Sequence, residues 1–108
     1  MHWLYPLGYT GNMIEIRQTE TYAKWFNSLR DREARVRIDI RLRRLSMGNA
    51  GDVKPVGKGL SELRIDYGAG YRVYFIQRGD TFIVLLAGGD KRTQNRDIQT
   101  ALDLAQDL

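Results

Sequence analysis

The sequence contains no cysteine, which excludes a disulfide framework and a thiolate metal site and fits a reducing compartment. Its only histidine is His2, outside any patterned segment, so neither zinc binding nor histidine-based catalysis is expected, and no metal or other cofactor is called for. No apolar run approaches the roughly 20 residues of a membrane span. The longest, Phe82 to Ala87, has the length of a buried strand. The opening Met1-His2-Trp3-Leu4-Tyr5-Pro6 lacks the cationic region and long apolar block of a secretory signal. A cytoplasmic protein with no membrane partner is the expectation. Internal repeats, low-complexity tracts and interdomain linkers are also missing, so the 108 residues make one domain that buries about 60–65% of its unfolded surface. Residues 13–108 are expected to form that domain, and residues 1–12, which show no periodicity, a flexible extension without a catalytic role.

What the chain does have is positive charge, +4 net with a pI near 9.6. Seven arginines fall from Arg30 to Arg44, and Lys54, Lys58, Arg64, Arg72, Lys91, Arg92 and Arg96 follow, whereas Asp97 to Leu108 carries only acidic charge. A polyanion or an acidic protein is the implied partner; the plainer alternative is a solvated basic surface.

Met13 to Arg17 alternates and reads as a strand. Thr19 or Thr21 can cap a helix whose positions Tyr22, Trp25, Phe26 and Leu29 share one buried face. From Asp31 to Met47 the alternation of Val36, Ile38, Ile40 and Leu42 with arginines suggests a strand, but Ala34, Ile38, Leu42 and Leu45 also form a helical stripe. The length of the segment, without glycine or proline, decides for helix. Gly48, Gly51 and Pro55 then mark a loop that includes Lys54.

Leu60 to Arg92 reads as three strands divided by two glycine turns, and antiparallel pairing in sequence order is the cheapest topology. Thr93 or Asn95 can cap a last helix with Ile98, Ala101, Leu102 and Ala105 on one face; Asp103 and Asp107 oppose the macrodipole, so its end is expected to fray. The pattern is an α+β domain, with a helical hairpin packed on a small, mainly antiparallel sheet and a C-terminal helix.

Two arginines sit on expected strands, where a buried cation must be paired or put to use. Arg64 has Glu62 and Asp66 as candidate partners, and Arg72 follows a Gly-x-Gly-Tyr turn where an anion can approach a planar donor fork. Pairing Ile65 with Arg72 would separate the two arginines, and a one-residue bulge would join them. Gly88-Gly89-Asp90-Lys91-Arg92 leaves a strand and enters a helix, a place where amides and cations can surround an anion, or a plain glycine turn. Cationic surroundings favour the neutral form of a lysine, which suits Lys54 and Lys91 for proton transfer, with Asp90, Glu62 and Tyr74 as alternates.

Asp52-Val53-Lys54-Pro55, the run Ser61 to Tyr74 and Leu85-Leu86-Ala87-Gly88-Gly89-Asp90-Lys91, in this order of elements, resemble the RelE/ParE superfamily of type II toxins, and within it the HigB-like addiction module killer branch. The resemblance implies a toxin neutralised by a cognate antitoxin of the helix-turn-helix type, the pair meeting operator DNA only as a complex. It also implies metal-independent mRNA cleavage on the ribosome, with Arg72, Arg64, Lys54 and Lys91 as catalytic groups and Lys58, Arg92, Tyr74 and Asp90 in substrate binding. Preorganised cations suit the charge of a transferring phosphate. Ribonuclease relatives often place Tyr or His just beyond the last strand, and here neither occurs after Tyr74. A ParE-like gyrase binder without nuclease activity and a basic RNA-binding module therefore stand as alternatives.

Overall fold

The computed structural model of the chain describes residues 4–6 and 13–108. Its elements run β1 (Leu4–Pro6), β2 (Glu15–Thr19), α1 (Glu20–Ser28), α2 (Arg32–Ser46), β3 (Val53–Gly57), β4 (Leu60–Ile65), β5 (Tyr71–Arg78), β6 (Phe82–Gly89), a 3-10 turn (Lys91–Thr93) and α3 (Gln94–Gln106). The strands form one six-stranded sheet in the order β1-β2-β6-β5-β4-β3. Every ladder is antiparallel except β2 with β6. The α+β class and the RelE-like arrangement are as the sequence leads one to expect. Of the N-terminal extension, Leu4–Pro6 pairs with β2; the remainder, and with it the expected flexibility, lies outside the described residues.

Thr19 ends β2 and starts α1 with one side chain. Its hydroxyl accepts from the Tyr22 amide at 3.1 Å and donates to the Leu86 carbonyl at 2.7 Å, so the helix cap is also a tie to β6. Asp31 caps α2 through the Ala34 amide. Ala34, Ile38, Leu42 and Leu45 are buried while Val36 and Ile40 are exposed. Of the two overlapping patterns in this segment, the helical one is therefore the one that buries apolar surface.

Each face of the sheet has its own core. Ile16, Leu63, Ile65, Val73, Phe75, Ile83 and Leu85 pack against α1 and α2. Leu60, Tyr74, Ile76, Val84, Leu86 and Ala87 pack against Ala101 and Leu104 of α3. A bulge lies between the two cores: Tyr74 is opposite Ala87 but Phe75 is opposite Leu85. Leu86 is the extra residue, and it faces α3 together with Ala87.

Four expectations are corrected. The first patterned strand spans Glu15–Thr19 rather than starting at Met13. The loop after α2 ends at Asp52, because Val53–Gly57 forms β3. An edge strand tolerates Pro55, and the Gly57-Lys58-Gly59 turn, with φ of 97°, 54° and 78°, closes the hairpin to β4. The sheet face opposite the helical hairpin, expected from the strand arginines to be a concave cationic site, is in large part covered by α3. That helix also stays wound to Gln106, with Asp103 accepting from Gln99 at 2.9 Å.

Candidate functional site

Arg64 and Arg72 stand directly opposite each other on β4 and β5, with Ile65 against Tyr71. The hairpin loop is one residue shorter than in the register that would have separated them, and no bulge is needed. Directly opposed residues share a sheet face, so this ladder position puts two guanidinium groups side by side at a cost. Each has its own carboxylate. Both Nε and Nη2 of Arg64 donate to Asp52 Oδ1, at 3.2 and 3.1 Å, in a solvent-exposed pair. Arg72 is 8% exposed, and its Nε lies 3.8 Å from Oε1 of the fully buried Glu62.

Glu62 is fixed from two sides. Tyr74 donates its phenol to Glu62 Oε2 at 3.1 Å, and Gln94, the first residue of α3, donates to the same oxygen at 2.7 Å. Glu62 Oε1 and Arg72 Nε are buried and have no hydrogen-bond partner among the described residues. Arg72 Nη1 donates to the carbonyls of Gly70 (3.0 Å) and Tyr71 (3.2 Å). The guanidinium is thus held by hydrogen bonds through Nη1 and by the 3.8 Å ion pair at Nε, and neither Nε nor Nη2 has a hydrogen-bond partner among the described residues. Burial first, and then the Glu62 carboxylate, push the Tyr74 phenol well above the ordinary tyrosine range. Tyr74 therefore keeps its proton at neutral pH and is a donor inside the fold rather than a base.

The last cation arrives from the β6 exit. Lys91 donates its amide to Ala69 O at 3.5 Å, and its aliphatic stem lies over Gly70. A Cβ at Gly70, whose φ is +77°, would sit 2.8 Å from Lys91 Cε. Gly70 thus serves a left-handed turn and a close approach together. Lys91, Arg64, Arg72, Asp52 and Asp66 line one open cleft of about 250 Å³, three cations against two carboxylates. Asp90 turns away from it: its carboxylate caps the 3-10 turn at the Arg92 amide (2.8 Å) and pairs with Arg92 Nη2 at 3.0 Å. The Arg92 hydrogen bond holds the Asp90 carboxyl below its usual range.

The family described as Phage derived protein Gp49-like (DUF891) matches residues 24–108, from inside α1 to the end of the chain. A Haemophilus influenzae (strain ATCC 51907 / DSM 11121 / KW20 / Rd) protein described as an uncharacterized protein is 46% identical over 95 residues, 88% of this chain and 96% of that one. The chain belongs to the Gp49-like family. This is a family of RelE/HigB-like toxins, associated with toxin-antitoxin systems. No solved structure matches the chain.

In this Gp49-like protein the remaining expected site residues lie apart from the cleft. Lys54, on β3 rather than in a loop, is exposed and pairs in register with Glu62, which puts it on the Arg72 face one strand further out. Lys58 sits in the β3–β4 turn beside Ile76 and Leu102, beyond the start of β4, which at roughly 3.3 Å per residue is itself about 13 Å along the strand from Arg64. Arg92 is exposed and shares with Lys91 a groove at the start of α3. Tyr74 is fully buried and touches the site only through Glu62.

Three supporting residues were missed in the sequence. Asp52 is the partner of Arg64, Gln94 steadies Glu62, and Arg41 reaches from α2 to the carbonyls of Arg64 (2.6 Å), Ala50 (3.2 Å) and Asp52 (3.3 Å). Each contact joins elements distant in sequence, and none had a local pattern to announce it. Among the described residues no three His, Cys, Asp or Glu side chains gather as a metal site would require, and no helix is long and apolar enough to cross a membrane.

Proposed function

We propose that this protein is the toxin of a type II toxin-antitoxin pair and inhibits translation by cutting ribosome-bound mRNA without a metal, its activity silenced by a cognate antitoxin. The observation that carries the reading is the juxtaposition of Arg72 and Arg64 on adjacent strands with Lys91 on the same cleft. A phosphodiester seated there meets three cations on a rigid platform, which favours the extra negative charge of the transition state when the ribose 2′-hydroxyl attacks. Recognition through phosphate contacts should weaken with salt. Residues 13–108 act as one unit in this reading.

Induced expression without antitoxin, followed by mapping of RNA ends, tests it. Wild type is expected to stop growth and leave transcripts cut within translated codons. Arg64→Ala and Lys91→Met, both chosen to leave the buried Glu62 pair intact, are expected to lose cutting while still binding antitoxin. One observation favours a second reading, a gyrase-blocking toxin without nuclease activity. Arg72 already spends Nε and Nη1 on the fold, and the cleft lining holds neither Tyr nor His to move a proton. Intact transcripts beside an inhibited gyrase would decide for that second reading.

A further inference from the structure

Helix α2, packed on the sheet face opposite Arg72, carries an unexplained surface. Val36, Ile40 and Met47 of the α2 face and its cap are 50%, 46% and 55% exposed, three of the four exposed large hydrophobics among the described residues. Their spacing puts them on one stripe. Ile40 is the ridge between two grooves, one of about 490 Å³ with Ala23, Phe26, Asp39 and Arg43, the other of about 470 Å³ with Arg37, Arg41, Arg44 and Ile65 beside Glu33 and Asp66. The helix holds six arginines against two carboxylates, a net charge of +4 that equals that of the whole chain. Arg37 pairs with Glu33 at 3.5 Å and Arg41 is tied to carbonyls. Arg32, Arg35, Arg43 and Arg44 form no ion pair with a described residue.

We propose that this face of α2 is a docking surface for an acidic amphipathic helix of a partner protein, with aliphatic side chains in the two grooves and flanking carboxylates on the unpaired arginines. The chemistry selects among occupants. Nucleic acid would satisfy the arginines but leave the aliphatic stripe without a use. A second copy of the same face would bring another +4 against the first. The chain's own residues 1–12 contain no Asp or Glu and cannot answer the arginines. An acidic helix meets both halves of the surface, apolar ridge in groove and charge on charge. The surface lies on the α1/α2 side of the sheet, opposite Arg72, so the inference does not depend on whether the cleft cuts RNA.

The test uses the full chain and a labelled synthetic helix of about five turns, with leucines at i, i+4, i+7 and i+11 and glutamates on both flanks. A control peptide has the same composition with the stripe broken. Binding of the striped peptide is expected by fluorescence anisotropy, and Ile40→Asp and Arg43→Glu should each weaken it about tenfold or more. Lys91→Met should leave it unchanged, and circular dichroism should show all variants folded. Equal binding of the broken-stripe peptide, or none of the striped one, overturns the proposal. So does displacement of the striped peptide by a single-stranded RNA oligonucleotide. A photo-crosslinker at position 40 that captures residues 1–12 of the same chain, or a dimer that Ile40→Asp dissociates, assigns the surface to those occupants instead.

Discussion

Replacing Arg72 by alanine removes the only cation among the described residues that is paired with a fully buried carboxylate, and the consequence for folding is large enough to measure. Glu62 would keep the hydrogen bonds from Tyr74 and Gln94 on Oε2, but Oε1, already without a hydrogen bond, would lose the guanidinium 3.8 Å away. Breaking a buried ion pair from one side costs about 3–5 kcal/mol, against a total stability of about 5–15 kcal/mol for a domain. At a urea slope of about 1.5 kcal/mol/M, the unfolding midpoint of Arg72→Ala should fall by about 2–3 M. The double variant Arg72→Ala/Glu62→Gln should recover at least half of that, since a neutral amide can still accept from Tyr74 and Gln94. Urea titrations followed by circular dichroism, with the slope held in common, read both numbers. A loss under about 1 kcal/mol for the single variant, or a double variant no more stable than the single, would refute the assignment of Glu62 as the source of the penalty. The same arithmetic means that loss of toxicity in Arg72→Ala would mix lost chemistry with lost folding, so Arg64→Ala and Lys91→Met are the cleaner probes of the cleft.

Three further outcomes follow from the geometry. The Tyr74 phenol is raised above its ordinary value of 10.0, so above that pH the unfolded chain gives up a proton that the folded one keeps. Stability should therefore be undiminished below about pH 10 and fall as pH rises beyond it. Tyr74→Phe should flatten that alkaline slope in pH-dependent melting. Gly70→Ala forces a left-handed residue, a cost of about 1–2 kcal/mol, and drives a methyl to within 2.8 Å of the Lys91 stem. It should weaken RNA binding in an electrophoretic mobility assay while the chain stays folded. At Gly88 an added Cβ would come 2.1 Å from the Trp25 ring, so Gly88→Ala should cost at least the upper end of about 1–3 kcal/mol typical of overpacking. Trp25→Leu in the same chain should relieve part of that cost in thermal melts.

The elements were legible in the sequence where local chemistry and long-range packing agree. Tyr22, Trp25 and Phe26 announce α1 and are where its buried face lies, and Ala34, Ile38, Leu42 and Leu45 define α2 despite a competing alternation. β3 was hidden because its sequence, Val-Lys-Pro-Val-Gly, reads as loop. Only an edge position, with no neighbour needing the missing amide of Pro55, makes a strand of it. The cleft was half legible. Arg64, Arg72 and Lys91 could be picked out because cations on strands and glycine-rich exits are conspicuous. Their partners could not, because Asp52 meets Arg64 across 12 residues of chain and Glu62 meets Arg72 through a hairpin register that no composition rule sets, while Gln94 reaches Glu62 across 32 residues.

The bulge at Leu86 is the clearest case of geometry that a sequence conceals and a site depends on. Side chains along a regular strand alternate, so the α3-facing set that includes Val84 and Leu86 would continue to Gly88 and put Gly89 on the α1 face. With Leu86 and Ala87 both turned to α3, the phase reverses. Gly88 falls beneath Trp25, while Gly89 faces Asp97 of α3 and Thr93 of the 3-10 turn and stands opposite Arg72. Both contacts demand glycine, and each would be wrong by one face without the extra residue. The bulge therefore lets α1 and the start of α3 close on the two sides of the same strand end. Closing there brings Gln94 against Glu62 and holds Arg72 at the rim of the cleft. Removing the bulge residue from β6 should leave a sheet that still pairs but has its glycines facing the wrong helices. The site would then be lost before the strands are, with cleft-dependent RNA binding disappearing at a urea concentration where far-UV circular dichroism is still native.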